Sequence, residues 1–170
     1  KPKLIFATNG YSYNGKFHGT LEKLDKITKK LTSLKKVVII DHYQKSENTY
    51  VIKDSINYNY FINKHPEQLI FEQLPFNYPL YILYSSGTTG LPKSIVHSAG
   101  GTLIQHLKEL YFHCDLHRED RIFYFTTCGW MMWNWLVSSL AIGSSIVLYE
   151  GSPFYPNKKI MWNMIDELEI

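Results

Sequence analysis

Two short apolar runs, Leu4-Ile5-Phe6 and Val37-Val38-Ile39-Ile40, flank a segment in which Leu21, Leu24, Ile27, Leu31 and Leu34 recur at three- to four-residue spacing with lysines between them. The runs read as strands over Lys3–Thr8 and Lys36–Asp41, and the spacing predicts an amphipathic helix over Thr20–Leu34. Strand, helix, strand is the unit of a parallel sheet, because parallel neighbours need a long crossover where antiparallel ones need only a turn. Asn9-Gly10 and Asn14-Gly15 are turn signals. Gln44–Tyr60 is polar and reads as a connection, with a short helix near Tyr58–Lys64. Phe71–Tyr78 leads into an apolar strand, Pro79–Leu83, and Ser94–His97 reads as a short returning strand. A helix is expected from Gly101 to His113, marked by Leu103, Ile104, Leu107, Leu110 and Tyr111. A strand follows at Arg121–Phe125, then a helix over Met131–Ile142, apolar nearly all round, buried and closed by Gly143. Ser145–Tyr149 reads as a strand and Asn157–Leu168 as an amphipathic helix with Ile160, Met164, Ile165 and Leu168 inward. The alternation predicts an α/β fold with a largely parallel, helix-covered sheet, without internal repeat or low-complexity tail.

A chain of 170 residues with 45% hydrophobic and 19% charged side chains suits one modest globular domain. A net charge of +3 gives no electrostatic case for nucleic acid, and the lysines from Lys16 to Lys36 read as the solvated side of a helix. Two cysteines, Cys114 and Cys128, make no disulfide framework and suit a reducing, cytoplasmic compartment. His113, Cys114 and His117 match no standard zinc spacing and lack a fourth ligand, so no metal site is assigned to the chain. No signal peptide is recognisable, and the apolar run from Leu136 to Tyr149 is too short and too broken by Ser and Gly to span a bilayer.

The chemistry concentrates in one loop. After the Pro79–Leu83 strand comes Tyr84-Ser85-Ser86-Gly87-Thr88-Thr89-Gly90-Leu91-Pro92-Lys93. Glycine lets backbone approach a ligand closely, successive N–H groups in a turn form an anion nest, hydroxyls add rotatable donors, and lysine adds a compact charge. Hydrogen bonds to a charged partner contribute roughly 1.5–3 kcal/mol each, so a few of them would hold a polyphosphate. The loop is not a Walker A sequence: Gly87, Lys93 and Ser94 have its spacing, but Pro92 stands where its second glycine belongs. A plain solvent loop is the alternative reading of any such Ser/Thr/Gly cluster.

The loop resembles the signature of the adenylate-forming superfamily, which includes acyl-CoA synthetases, luciferases and peptide-synthetase adenylation domains. Its continuation, Ser94 to Leu103 and Gln105 to Glu109, and above all Phe123-Tyr124-Phe125-Thr126-Thr127-Cys128-Gly129-Trp130-Met131-Met132-Trp133-Asn134-Trp135 and Gly151-Ser152-Pro153-Phe154-Tyr155-Pro156, is similar to the acetoacetyl-CoA synthetase branch. The resemblance is densest from Leu74 to Pro156.

It implies that residues 1–170 are part of the large N-terminal, ATP- and acyl-binding domain of an adenylate-forming enzyme, with the C-terminal domain outside this chain. Lys1 is not a methionine and Ile170 falls inside a helical pattern, in keeping with a piece of a longer enzyme that is inactive alone. The implied reaction activates acetoacetate to acetoacetyl-CoA through an acyl-adenylate, with ATP, Mg²⁺ and coenzyme A. By the same resemblance, Ser85, Ser86, Gly87, Thr88, Thr89, Gly90 and Lys93 hold the ATP phosphates in a loop that is mobile without nucleotide. Trp130, Met131 and Met132 border the acyl group; ordinary core is the rival reading for this block, above all for Trp133 and Trp135. Lys16, in Tyr11-Ser12-Tyr13-Asn14-Gly15-Lys16, stands where acetyl-CoA synthetases carry arginines that touch CoA phosphate, with a solvated turn as the alternative. His97 reads as a loop-supporting or packing residue rather than as a base, since adenylation of an ionised carboxylate needs none. Catalytic residues are expected outside this chain. The partners are small molecules, with no nucleic acid and no membrane span. An acetate, propionate or other short-chain ligase, and a non-catalytic nucleotide-binding module, remain open.

Overall fold

The computed structural model describes residues 1–43, 51–62, 68–85 and 90–170. The chain divides into two compact units, Lys1–Ile70 with Glu150–Ile160, and Phe71–Tyr149 with Met161–Ile170.

In the first unit, β1 (Leu4–Thr8) is followed by a hairpin of β2 (Gly10–Tyr13) and β3 (Lys16–Gly19), then α1 (Leu21–Thr28), β4 (Lys36–Ile40), β5 (Ser55–Asn57) and the single-turn α2 (Tyr58–Phe61). β1, β4 and β5 form a parallel sheet in the order β1-β4-β5, with Leu4 opposite Lys36 and Val37 opposite Ser55. This is the expected strand–helix–strand unit, with a hairpin inserted before the helix. Asn14 and Gly15 turn that hairpin with φ of 50° and 74°, a conformation that Asn tolerates and Gly adopts freely. Asn9-Gly10 makes no turn: β2 begins at Gly10. The core is Leu21, Leu24, Val37 and Ile52, with Ile5, Ala7, Leu34 and Ile39 packed against it. α1 ends at Thr28 rather than Leu34. Lys30 and Leu31 donate to the carbonyls of Ile27 and Thr28, tightening the chain into turns, and the Thr28 hydroxyl donates to Asp25 O at 3.0 Å. β5 lies in the polar connection, where Ser-Ile-Asn carries too little apolar pattern to announce a strand.

In the second unit, β6 (Pro79–Ser85) and β7 (Lys93–Ser98) pair antiparallel. α3 (Ala99–Lys108) follows, continued by a wider π turn at Glu109–His113. β8 (Arg121–Ile122) pairs in parallel with β9 (Ser145–Ile146). Both are shorter than the expected Arg121–Phe125 and Ser145–Tyr149, since the ladder ends after two residue pairs. Between them α4 (Met131–Ser138) tightens into a 3₁₀ turn, Ser139–Ala141, and closes at Gly143 with φ of 96°. α5 (Ile160–Leu168) completes the unit; Arg121 Nη1 donates to its Leu168 carbonyl at 2.5 Å. Leu110, Leu116 and Leu136 are buried, but the expectation that the α4 region is buried all round fails. Met131 is 47% exposed because one side of α4 walls a cavity rather than solid core, and Leu140, in the 3₁₀ turn that follows, is 57% exposed.

Candidate functional site

The β6–β7 hairpin is the frame of the site. Ser85 and Lys93 are its last pair before the loop, both exposed. Ser86, Gly87, Thr88 and Thr89, and with them the expectation of a mobile loop, lie outside the described residues. Gly90 re-enters with φ of 133°, and a Cβ there would meet nothing within 4 Å. Open space and a positive φ are what close approach by a ligand requires. No ion pair to Lys93 occurs among the described residues.

The other end of the same hairpin walls a cavity of about 570 Å³, within the range of small-molecule sites. Tyr81, Leu83, Val96 and His97 contribute from the hairpin, Met131, Met132, Asn134 and Trp135 from α4, and a polar stripe from α3. That stripe is Thr102, Gln105, His106 and Glu109, at the three- to four-residue spacing of one helix face. α3 is aimed by its start. Ser98 Oγ accepts from Gly101 N at 3.2 Å, Ala99 N donates to Tyr78 O at 2.8 Å, and Gly100 N donates to Phe76 O at 3.0 Å. Gly100 is required by packing, since a Cβ there would overlap the Phe76 ring.

The polar stripe is tied together. Gln105 Nε2 donates to Glu109 Oε1 at 2.6 Å, and His106 Nδ1 meets Ser138 Oγ of α4 at 2.8 Å. Burial holds the His106 imidazole below its ordinary value; Glu109 opposes that shift and His97 adds to it. The ring is therefore neutral near pH 7.

Of the residues predicted for the acyl group, Met131 and Met132 line this cavity. Trp130 is 65% exposed, precedes α4 as its N-cap and is absent from the lining. Trp133 lines a separate cavity of about 210 Å³ with Phe123, Phe125 and Leu136, while Trp135 joins the larger one and stands edge-on to Tyr124. His97, read as a loop-supporting or packing residue, sits half-buried in the cavity wall. Lys16 is exposed at the start of β3, in the first unit. Sequence reasoning missed Thr102, Gln105, His106, Glu109 and Asn134. Their signal was a polar stripe on α3 at the same spacing as the apolar one that marked the helix.

The first unit carries a second cluster that sequence reasoning missed. His42 Nε2 lies 2.6 Å from Glu150 Oε2, Tyr43 OH donates to Glu150 Oε1 at 2.9 Å, and Ser12 N donates to Tyr43 OH at 3.2 Å. Partial burial pushes the Glu150 carboxyl up, but the hydrogen bonds from His42 and Tyr43 and the nearby His42 outweigh it and hold the group below its ordinary range. Cys114 and Cys128 are both exposed thiols. Among the described residues no cluster of three or more His, Cys, Asp or Glu gathers around a common point, and no helix is long and apolar enough to cross a membrane.

The family model described as "AMP-binding enzyme" matches residues 1–170. The acetoacetyl-CoA synthetase of Danio rerio is 51% identical over 177 aligned residues, taking in 100% of this chain and 26% of its own length. A malonamoyl-CoA synthetase of Penicillium aethiopicum is 46% identical over 164 residues, 91% of this chain and 22% of its own. The solved structure of acetoacetyl-CoA synthetase from Streptomyces lividans superposes with a TM-score of 0.86 at 41% identity, covering 98% of this chain and 25% of that one. The chain thus spans about a quarter of the length of the curated relatives it matches. With the hairpin, its hydroxyl-rich loop and the cavity beside it, this full-length match identifies the chain as a member of the AMP-binding enzyme family.

Proposed function

We propose that residues 1–170 are part of the large N-terminal domain of an acid–thiol ligase that converts acetoacetate to acetoacetyl-CoA through an acyl-adenylate. The observation that supports this reading is that one hairpin borders both features: Ser85 and Lys93 flank the hydroxyl-rich loop, and Leu83, two residues before Ser85, lines the cavity. Two residues of strand span roughly 7 Å, so an acid lying in the cavity has its carboxylate within reach of a nucleotide held by the loop. The acetoacetyl and malonamoyl groups named for the relatives both carry a carbonyl on carbon 3, and a cavity with one polar and one apolar wall suits such acids.

In the first step a carboxylate oxygen attacks the α-phosphorus of ATP and the bond to pyrophosphate breaks. In the second, the CoA sulfur attacks the acyl carbon, the bond to AMP breaks and the thiol proton is released. Ser85, Ser86, Gly87, Thr88, Thr89, Gly90 and Lys93 would hold the β- and γ-phosphates, contributing position and charge rather than covalent chemistry. Mg²⁺ would share the triphosphate charge; the described residues offer it no carboxylate cluster, and no step is assigned to it. Met131 and Met132 would fit the acyl chain, methionine being adaptable in irregular space. Lys16 would touch the CoA phosphate. This reading carries small-molecule partners and a cytoplasmic location with it, and the 170 residues alone are expected not to turn over.

The test is thioester formation by the full gene product with ATP, Mg²⁺, CoA and a panel of short acids. Acetoacetate is expected to be preferred, and Lys93→Ala to lower kcat/KM about 100-fold. Preference for acetate or propionate would keep the loop and reject the acid; no thioester with any acid would leave a nucleotide-binding module.

A further inference from the structure

Among the described residues, two buried side-chain oxygens have no hydrogen-bond partner, Thr102 Oγ1 and Ser139 Oγ, and only Thr102 lines the cavity. Thr102 is 8% exposed, so water does not relieve its hydroxyl. A buried polar group without a partner is costly, and evolution or a ligand has to account for it. Its oxygen is closed off in the structure, yet helical threonine has two χ1 wells, and a step between them exchanges hydroxyl for methyl at the cavity face.

The neighbouring groups narrow what Thr102 is for. Ser138 Oγ donates to Asn134 O at 3.0 Å, so its own proton is taken and it accepts from His106 Nδ1–H. The neutral ring then has a bare lone pair on Nε2, and His106 has no second proton to give a carbonyl. Gln105 spends one amide hydrogen on Glu109 and, being exposed, has water for the other. Asn134 and Tyr81 are half-buried and can exchange water for a ligand with little net gain. Thr102 is the cavity donor that is both buried and without a partner in the protein.

We propose that Thr102 is a specificity-determining residue, its hydroxyl donating to the carbonyl oxygen on carbon 3 of a short 3-oxo acid in this cavity. The proposal rests on the acid-activating reading above and adds the group that tells a 3-oxo acid from a plain alkanoic acid of equal length. Neutral His106 leaves that oxygen to Thr102 and adds no positive charge that would favour a second carboxylate.

The experiment compares kcat/KM for acetoacetate and butyrate in the full gene product, its Thr102→Val variant and its Thr102→Ser variant. The wild-type protein should prefer acetoacetate, Thr102→Val should lower the acetoacetate-to-butyrate ratio about tenfold, and Thr102→Ser should restore most of it. A purely structural role would lower both substrates together and leave the ratio alone. If the wild-type protein prefers acetoacetate but Thr102→Val keeps the ratio, the Thr102 proposal is wrong and the acid-activating reading stands. If the wild-type protein prefers butyrate, acid activation stands but acetoacetate as its substrate and the Thr102 proposal both fall; if it activates neither acid, the acid-activating reading falls with them.

Discussion

The two units treat buried polar groups in opposite ways. In the first, Asn9 is 1% exposed and fully engaged: Oδ1 accepts from His42 N and Tyr43 N at 3.1 Å each, and Nδ2 donates to Tyr43 O at 2.7 Å. The side chain acts as a piece of backbone, fixing the chain as it leaves β4. In the second unit, Thr102 and Ser139 are also buried, at 8% and 0% exposed, and their hydroxyl oxygens have no partner among the described residues. A closed polar group spends its bonding capacity on the fold; an open one beside a cavity keeps it for a ligand. In the first unit the buried polar group serves the fold, and in the second it borders the candidate site.

Four substitutions test that contrast. Asn9→Ala should have the largest effect, about 3 kcal/mol in chemical denaturation, because the Tyr43 N–H and carbonyl lose their Asn9 partner at once and His42 N keeps only the Ile40 carbonyl. A loss below about 1 kcal/mol would mean water replaces Asn9 and the contrast is empty. Gly100→Ala comes next, at about 2 kcal/mol, since the new methyl must displace the Phe76 ring that seats the start of α3. An unchanged melting temperature would show that the ring moves freely.

Glu150→Gln should cost only about 0.5 kcal/mol at pH 7, because Glu150 and its ion-pair partner His42 are both exposed. The pH dependence has a definite sign. The folded carboxyl lies below its ordinary 4.5, so its contribution is complete above that pH and fades as pH falls through the lower folded value. Stability curves of variant and wild type should converge in acid; a gap that widens on acidification would contradict the assignment. Thr102→Val should be the smallest, leaving stability unchanged or higher, because it removes a hydroxyl that the fold does not use. A loss like that of Asn9→Ala would mean Thr102 is bonded after all.

The parallel unit was legible because two β-branched runs and a leucine spacing state it locally, and β1–α1–β4 is where those residues lie. The hairpin that flanks the hydroxyl-rich loop was legible from the Pro79–Leu83 apolar run and the Ser94–His97 return, and β6–β7 is that strand and its return. The cavity was only half legible. Met131 and Met132 stood out by composition, while the α3 stripe did not, because Thr102, Gln105 and His106 look like the wet face of any amphipathic helix. Leu103 and Ile104 are instead the exposed ones, at 45% and 61%. Which face of a helix turns inward is set by long-range packing, here α3 against the hairpin and α4, and periodicity finds a stripe without assigning its side. Asn9 misled for a related reason: Asn-Gly favours a turn locally, but the His42 and Tyr43 amides that claim its side chain are more than thirty residues away.

The account turns on acid activation at the β6–β7 hairpin, and the most direct measurement is exchange of labelled pyrophosphate into ATP by the full gene product, with acetoacetate and without CoA. An acyl-adenylate route predicts exchange that requires the acid, proceeds without thiol and is largely lost in Lys93→Ala. Exchange that needs CoA, or that runs equally well without any acid, would contradict it.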